Sequence, residues 1–100
     1  METTTNKTQK YIVRANGAGV LYGEIEKMEG NTAYMNNARR LWYWSGAASL
    51  SQLAVEGVKR PSECKFTITV PKEIVFNVIE ILECTAKAVA SIDAVPVWKI

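Results

Sequence analysis

The stretch from Asn36 to Ala54, NNARRLWYWSGAASLSQLA, decides how the rest of the chain is read. Two guanidiniums, Arg39 and Arg40, are followed after Leu41 by three large aromatics in a row, Trp42, Tyr43 and Trp44. Arginine presents a planar fork of donors that matches phosphate or carboxylate, and an indole presents a flat face on which a base or a guanidinium stacks. The combination suits an anionic ligand that carries an aromatic group. It also describes a buried strand that ends in salt bridges. Asn36-Asn37 reads as a turn, because both residues tolerate left-handed geometry and bond their own backbone. The arginines are therefore expected to leave a turn and enter a short strand over Leu41 to Trp44. Period-two alternation then puts Arg40, Trp42 and Trp44 on one face, and Arg39, Leu41 and Tyr43 on the other. Arg40 is assigned to the ligand face, and Arg39 to a structural position or a subunit contact.

Downstream, Ser45-Gly46 breaks the strand. Ser49 with Gln52 has the form of a capping box, Leu50, Leu53 and Ala54 make an apolar stripe, and Gly57 suits a C-terminal stop, so a helix is predicted over Leu50 to Glu56. Its amide end would add positive potential beside the arginines. Lys59 to Glu63 reads as a polar loop. Lys65 to Val70 alternates as a strand with Phe66, Ile68 and Val70 inward, Pro71-Lys72 starts a turn, and Ile74 to Leu82 reads as one strand. That strand is apolar on both faces, so it is either central and covered twice or partly buried in an oligomer. Phe76 is assigned to the core, where truncation to alanine would cost roughly 3–5 kcal/mol. Thr85 caps a last helix over Ala86 to Ile92, and Pro96 leaves Val95 to Trp98 as an edge strand or a tail.

Upstream, Gln9 to Ala15 alternates as a half-buried strand. Asn16-Gly17-Ala18-Gly19 can expose amides to an anion, although a turn between antiparallel strands is the stronger reading. Val20 to Met28 is a second strand, Glu29-Gly30-Asn31 a turn, and Thr32 to Met35 a third strand. This meander resembles the opening of a small SH3-like barrel or a curled sheet. The fold class is α+β, a mostly antiparallel curled sheet with two short helices. Residues 1–9 read as a frayed tail and 10–100 as a single domain.

Composition narrows the chemistry. A hundred residues at 48% hydrophobic and 22% charged support one ordinary core, and no apolar run approaches the roughly 20 residues that span a bilayer. The polar start METTTNKTQK lacks the apolar segment of a secretory signal. Net charge is only +2, so general nucleic-acid binding would rest on a few contacts and be lost in salt. No histidine is present, which removes the commonest general base and neutral metal ligand. Asp93 is the sole aspartate, and no pair of carboxylates has a recognisable catalytic spacing. Cys64 and Cys84 lack metal-binding or redox spacing and read as buried thiols. A non-catalytic protein without cofactor or metal is expected.

The segment NARRLWYWSGAASLSQLA at residues 37–54, with VRANGAGVLYGEI at 13–25 and KRPSECKFTITV at 59–70, resembles a family of small uncharacterised proteins of tailed phages and prophages. The resemblance implies an accessory protein in the cytoplasm of an infected bacterium. A looser likeness, on residues 13–23 and 37–46, is to phage proteins that oppose Thoeris defence by sequestering a cyclic ADP-ribose-type signal. It implies a sponge for a cyclic nucleotide or ADP-ribose derivative, but assigns no individual contacts. A homo-oligomer is expected because a 100-residue domain has little room for a deep pocket, and the contacts that follow are read from the residue types. In such a sponge Arg40, Arg39 and Arg14 would grip phosphate, Trp42, Trp44 or Tyr22 would stack on the base, and Asn36 or Asn37 would bond ribose or base edges. The alternatives are an interaction module that inhibits a host defence or replication protein, or a minor structural phage protein. Location discriminates between the first two. Tryptophans lining a concavity with Arg40 favour a small ligand, and tryptophans on an exposed patch favour a protein partner.

Overall fold

The computed structural model describes residues 9–100, so the expected frayed tail lies, apart from Gln9, outside the described residues. The chain begins with β1 (Tyr11–Ala15) and β2 (Gly19–Glu29), joined by a turn in which Gly17 and Gly19 adopt φ of 90° and 89°. β3 follows Gly30-Asn31 and runs from Thr32 to Tyr43, far beyond the expected end at Met35. Asn36-Asn37 is a bulge inside this strand and not a turn. Tyr22 pairs with Arg39 and Glu24 with Asn36, so Gly23 alone faces Asn37 and Ala38. Asn37 takes up the extra residue at φ 53°, the left-handed conformation that made it look like a turn.

Gly23 is what lets the bulge close. A Cβ there would lie 2.9 Å from the Asn37 carbonyl oxygen and 3.0 Å from the Ala38 Cα, both backbone atoms with no room to yield. Gly23→Ala is expected to lower stability by about 1–3 kcal/mol, seen as a lower urea midpoint.

The bulges bend the long hairpin back on itself. Eleven residues of straight strand would span roughly 35 Å. Yet the turns at the two ends of β2 meet the same place, where Asn16 N–H donates to the Asn77 carbonyl at 2.9 Å and Val78 N–H donates to that of Asn31 at 2.8 Å. β2 must therefore curve sharply, and its register breaks at Tyr22/Glu24 and Ile25/Lys27 mark where. The sheet order is β4-β3-β2-β1-β6, with β4 at Lys65–Phe66, β6 at Val78–Glu83, and β5 (Val70–Val75) on the Ala33–Ala38 part of β3. The named strand pairs are all antiparallel, and the architecture is a curled sheet with two helices. The pairing goes no further toward an SH3-like barrel.

The curl makes two cores. Inside it lie Val13, Leu21, Ala33, Met35, Ala38 and Val75. On the other face Ile12, Tyr22, Leu41 and Phe66 meet Leu53, Ala54, Ala88 and Ile92 from α1 (Leu50–Glu56) and α2 (Ala86–Asp93). Ile12 and Val13 are both fully buried, so β1 is covered on both sides and not half-buried. The helices match the sequence pattern. Ser49 Oγ accepts from Gln52 N–H at 3.1 Å while Gln52 Oε1 accepts from Ala48 N–H at 2.7 Å, and Thr85 Oγ1 accepts from Ala88 N–H at 3.1 Å.

The expected strand over Lys65 to Val70 ends at Phe66 because Thr67 is claimed by β3. Its N–H donates to the Arg40 carbonyl and its hydroxyl accepts from Arg40 N–H, both at 3.0 Å, and Ile68 is left exposed. Pro71-Lys72 lies within β5 instead of turning the chain. The single strand expected over Ile74 to Leu82 is two strands. Asn77, at φ 60°, reverses the chain, and Phe76 at this turn is 62% exposed, so it is not a core residue. Phe66, fully buried, is the phenylalanine of the core. Val95 to Trp98 is a tail with one parallel bridge, Val97 to Phe66.

Both cysteines are free and buried. Burial pushes the Cys84 thiol up to about 11. Burial and a bond to Asp93 push the Tyr22 phenol up as well. Both groups must stay neutral in the fold, so the Cys84 contribution is complete below the unfolded thiol's range and is lost as pH rises from there through about 11, and the Tyr22 contribution declines only above the free phenol's range. Stability should fall progressively above about pH 9, and the fall should be smaller in Cys84→Ala. Urea midpoints taken from pH 8 to 11 would show this.

Candidate functional site

The bulge at Asn37 sets which way the arginine-aromatic run faces, and the sheet divides that run. Arg39 and its pair partner Tyr22 point under the helices. Arg39 is only 6% exposed. Nε donates to the Thr67 carbonyl at 3.0 Å, and Nη1 to that of Ile92 at 3.2 Å. Nη2 lies 3.3, 3.1 and 3.4 Å from the carbonyls of Phe66, Val95 and Pro96. Its plane sits over the Phe66 ring at 5.4 Å. Burial lowers its pKa, and the nearby Asp93 opposes that. The guanidinium is spent on tying β4, the end of α2 and the tail together. Tyr22 donates to Asp93 at 2.9 Å and lies beneath Lys10. Neither residue has an edge free for a ligand.

Arg40 pairs with Leu21 and shares the face of the inner core. Its Nη2 meets Glu73 at 3.5 Å, and its buried Nε has no partner among the described residues. Trp42 stands on a second bulge, between the pairs Leu41–Phe66 and Tyr43–Lys65, and is 65% exposed. Trp44 does not share its face. It lies past the strand end and packs on the helix-side core. Arg14 is ion-paired with Glu80 at 3.0 Å on the β1–β6 surface. The α1 amide end is filled by Ser49 and Gln52.

Two surfaces remain. One is an exposed edge where Tyr43 faces Lys65, and where the Lys65 ammonium lies 5.5 Å over the Trp98 ring. Trp42, Tyr43 and Trp98 are each about half exposed or more. The tail reaches this edge because Trp98 N–H donates to the Phe66 carbonyl at 2.8 Å. The other surface is a cleft of about 770 Å3 that includes Tyr11, Ile25, Asn36, Asn37 and Pro71. Glu24, Glu26 and Glu83 also line it, against one cation, Lys72, which is already bonded to Glu26 and Asn36 at 3.3 and 3.1 Å.

Of the residues assigned to a ligand site, Asn36 and Asn37 line this cleft; Arg14, Tyr22, Arg39, Arg40, Trp42 and Trp44 do not. Lys65 and Trp98 escape a sequence reading because they lie 22 and 55 positions after Tyr43 and meet it only through β4 and the tail. The cleft carboxylates read as solvated strand positions, and only the bend in β2 gathers them. Among the described residues no group of three or more His, Cys, Asp or Glu side chains could hold a metal ion, and no helix is long and apolar enough to cross a membrane.

Fold and surface together define a small α+β domain built on a bent β-hairpin, with an aromatic-cationic edge and an acidic cleft. The chain belongs to the family described as Domain of unknown function (DUF6948), which it matches over residues 8–92. That span includes Trp42 and Tyr43 and the cleft, and ends before Trp98. No match was found among curated proteins or solved structures.

Proposed function

We propose that the chain is a non-catalytic interaction domain that docks a protein partner on the edge formed by Trp42, Tyr43, Lys65 and Trp98. One observation carries this reading: Trp42 is 65% exposed on an outward bulge and lies outside the cleft. Tryptophan and tyrosine in solvent forgo the burial that large aromatics normally gain, and these types dominate binding hot spots. With the resemblance to phage accessory proteins, the partner is a host defence or replication protein in the cytoplasm of an infected bacterium.

A photo-crosslinking amino acid at position 42, compared with one at exposed Val55, tests the reading in cells. A discrete protein adduct at 42 that is absent at 55, and that is lost with Tyr43→Ala, is expected. Identical adducts at both positions would refute it. Once the partner is in hand, Trp42→Ala should weaken binding by roughly 30-fold or more, the loss of about 2 kcal/mol typical of a hot spot.

Capture of a phosphate-bearing nucleotide is the second reading, and the size of the cleft favours it, since small-molecule sites run to about 300–1,000 Å3. Its charge does not. A phosphate would face three carboxylates with one lysine already engaged, and the arginines meant to grip it lie elsewhere. Titration calorimetry with cyclic nucleotides and ADP-ribose derivatives should give no binding tighter than micromolar, and a submicromolar complex would restore the sponge. Arg40→Ala removes a half-exposed pair at 3.5 Å and should change stability by less than about 1 kcal/mol.

A further inference from the structure

Two of the outer strands of the curled sheet are guarded differently. β5 carries Pro71 and Lys72, the residues that keep an exposed edge from pairing with another chain. β6, Val78–Glu83 with sequence VIEILE, carries neither, and among the described residues it pairs only with β1. Among the described residues, one row of its backbone groups has no strand partner. Cys84 N–H donates to the Lys10 carbonyl, and alternation along an antiparallel ladder then turns Leu82 toward Ile12. The N–H and C=O of Ile81 and Glu83 consequently point away from β1. Phe76, Ile79 and Ile81 stand along the same arch at 62%, 58% and 40% exposure.

We infer that β6 is the contact of a two-fold dimer, in which a second copy of the chain adds its own β6 antiparallel across this edge. Charge and the outward backbone groups of Ile81 and Glu83 together set the register. Centring the pair on Glu80 would set it against its own copy, a like-charge clash. Centring on Ile81 sets Ile81 against Ile81, Glu80 against Leu82 and Ile79 against Glu83, so no carboxylate faces its mate. Arg14 already neutralises Glu80 at 3.0 Å. The area is adequate as well. The three apolar side chains expose on the order of 300 Å2, more than half the apolar area on one side of a standard interface of about 800 Å2 per partner. The dimer continues the sheet across two chains and leaves the Trp42 edge, on β3, unobstructed.

Light scattering on the size-exclusion peak should give about twice the 11.1 kDa chain mass at 100 μM, and Ile81→Lys should return the single-chain mass with an unchanged circular dichroism spectrum. Hydrogen exchange of the wild-type chain supplies a readout that does not depend on the variant folding. The amides of Ile81 and Glu83 should exchange at least tenfold more slowly at 100 μM than at 1 μM. A wild-type chain that stays single at 100 μM, or amides at 81 and 83 that exchange equally fast at both concentrations, overturns the proposal. So does a dimer that persists in folded Ile81→Lys.

Discussion

Arg39→Ala is expected to unfold the chain or to lower its stability by about 3–5 kcal/mol, the largest effect of any change within the arginine-aromatic run. The side chain supplies donors to carbonyls from Thr67, Phe66, Ile92, Val95 and Pro96, and these come from three segments that have little else in common. Truncation removes the side-chain donor to the Thr67, Val95 and Pro96 carbonyls, while those of Phe66 and Ile92 keep the N–H groups of Trp98 and Val95. Each buried acceptor left unpaired costs about 1–3 kcal/mol, although water entering the gap would relieve part of it. Arg39→Lys should recover little, because one ammonium cannot reproduce a planar fork across that set of oxygens. Urea unfolding of Arg39→Ala beside Arg40→Ala decides the point. A large loss only in the first is predicted, and equal small losses would show that Arg39 is not the clamp.

Phe66→Ala should be nearly as damaging, at about 3–5 kcal/mol, while Phe76→Ala should cost less than about 1 kcal/mol. Phe66 is fully buried between β3 and the helices, beneath the Arg39 guanidinium, and its carbonyl anchors both Arg39 and Trp98. Truncation opens a cavity and loosens the clamp at once. Phe76 has neither role in the single chain. If the β6 dimer forms, Phe76→Ala should weaken association more than it weakens the fold. Chemical denaturation at fixed low concentration separates the two effects.

The contrast between the two phenylalanines shows where the sequence was readable. Both helices and both N-caps were legible, because caps and apolar spacing are local and the backbone obeyed them at Ser49 and Thr85. The β1–β2 and β2–β3 turns were legible for the same reason. The strands beyond Met35 were not. Asn37 in left-handed geometry looks alike in a turn and in a bulge, and what separates the two is Gly23, fourteen residues earlier on the facing strand. Missing that bulge ended the third strand at Met35, although alternation still set Arg39 with Leu41 on one face and Arg40 on the other. Asn77 gave the opposite error, a real reversal hidden inside an apolar run whose alternation is unbroken in sequence. The exposed edge was half visible. Trp42 and Tyr43 announce themselves, whereas Lys65 and Trp98 join them only through tertiary pairing.

What began as one arginine-aromatic cluster is therefore two arrangements, a clamp beneath the helices and a solvent-exposed aromatic edge, the second of which we propose docks a partner. Hydroxyl-radical footprinting of the aromatic side chains, on the purified chain and on the chain bound to the partner captured at position 42, tests this division directly. Trp42, Tyr43 and Trp98 should oxidise readily in the purified chain while Tyr22 is spared, and partner binding should protect Trp42 and Tyr43. Slow oxidation of Trp42 in the free chain, or undiminished oxidation of Trp42 and Tyr43 in the complex, would contradict it.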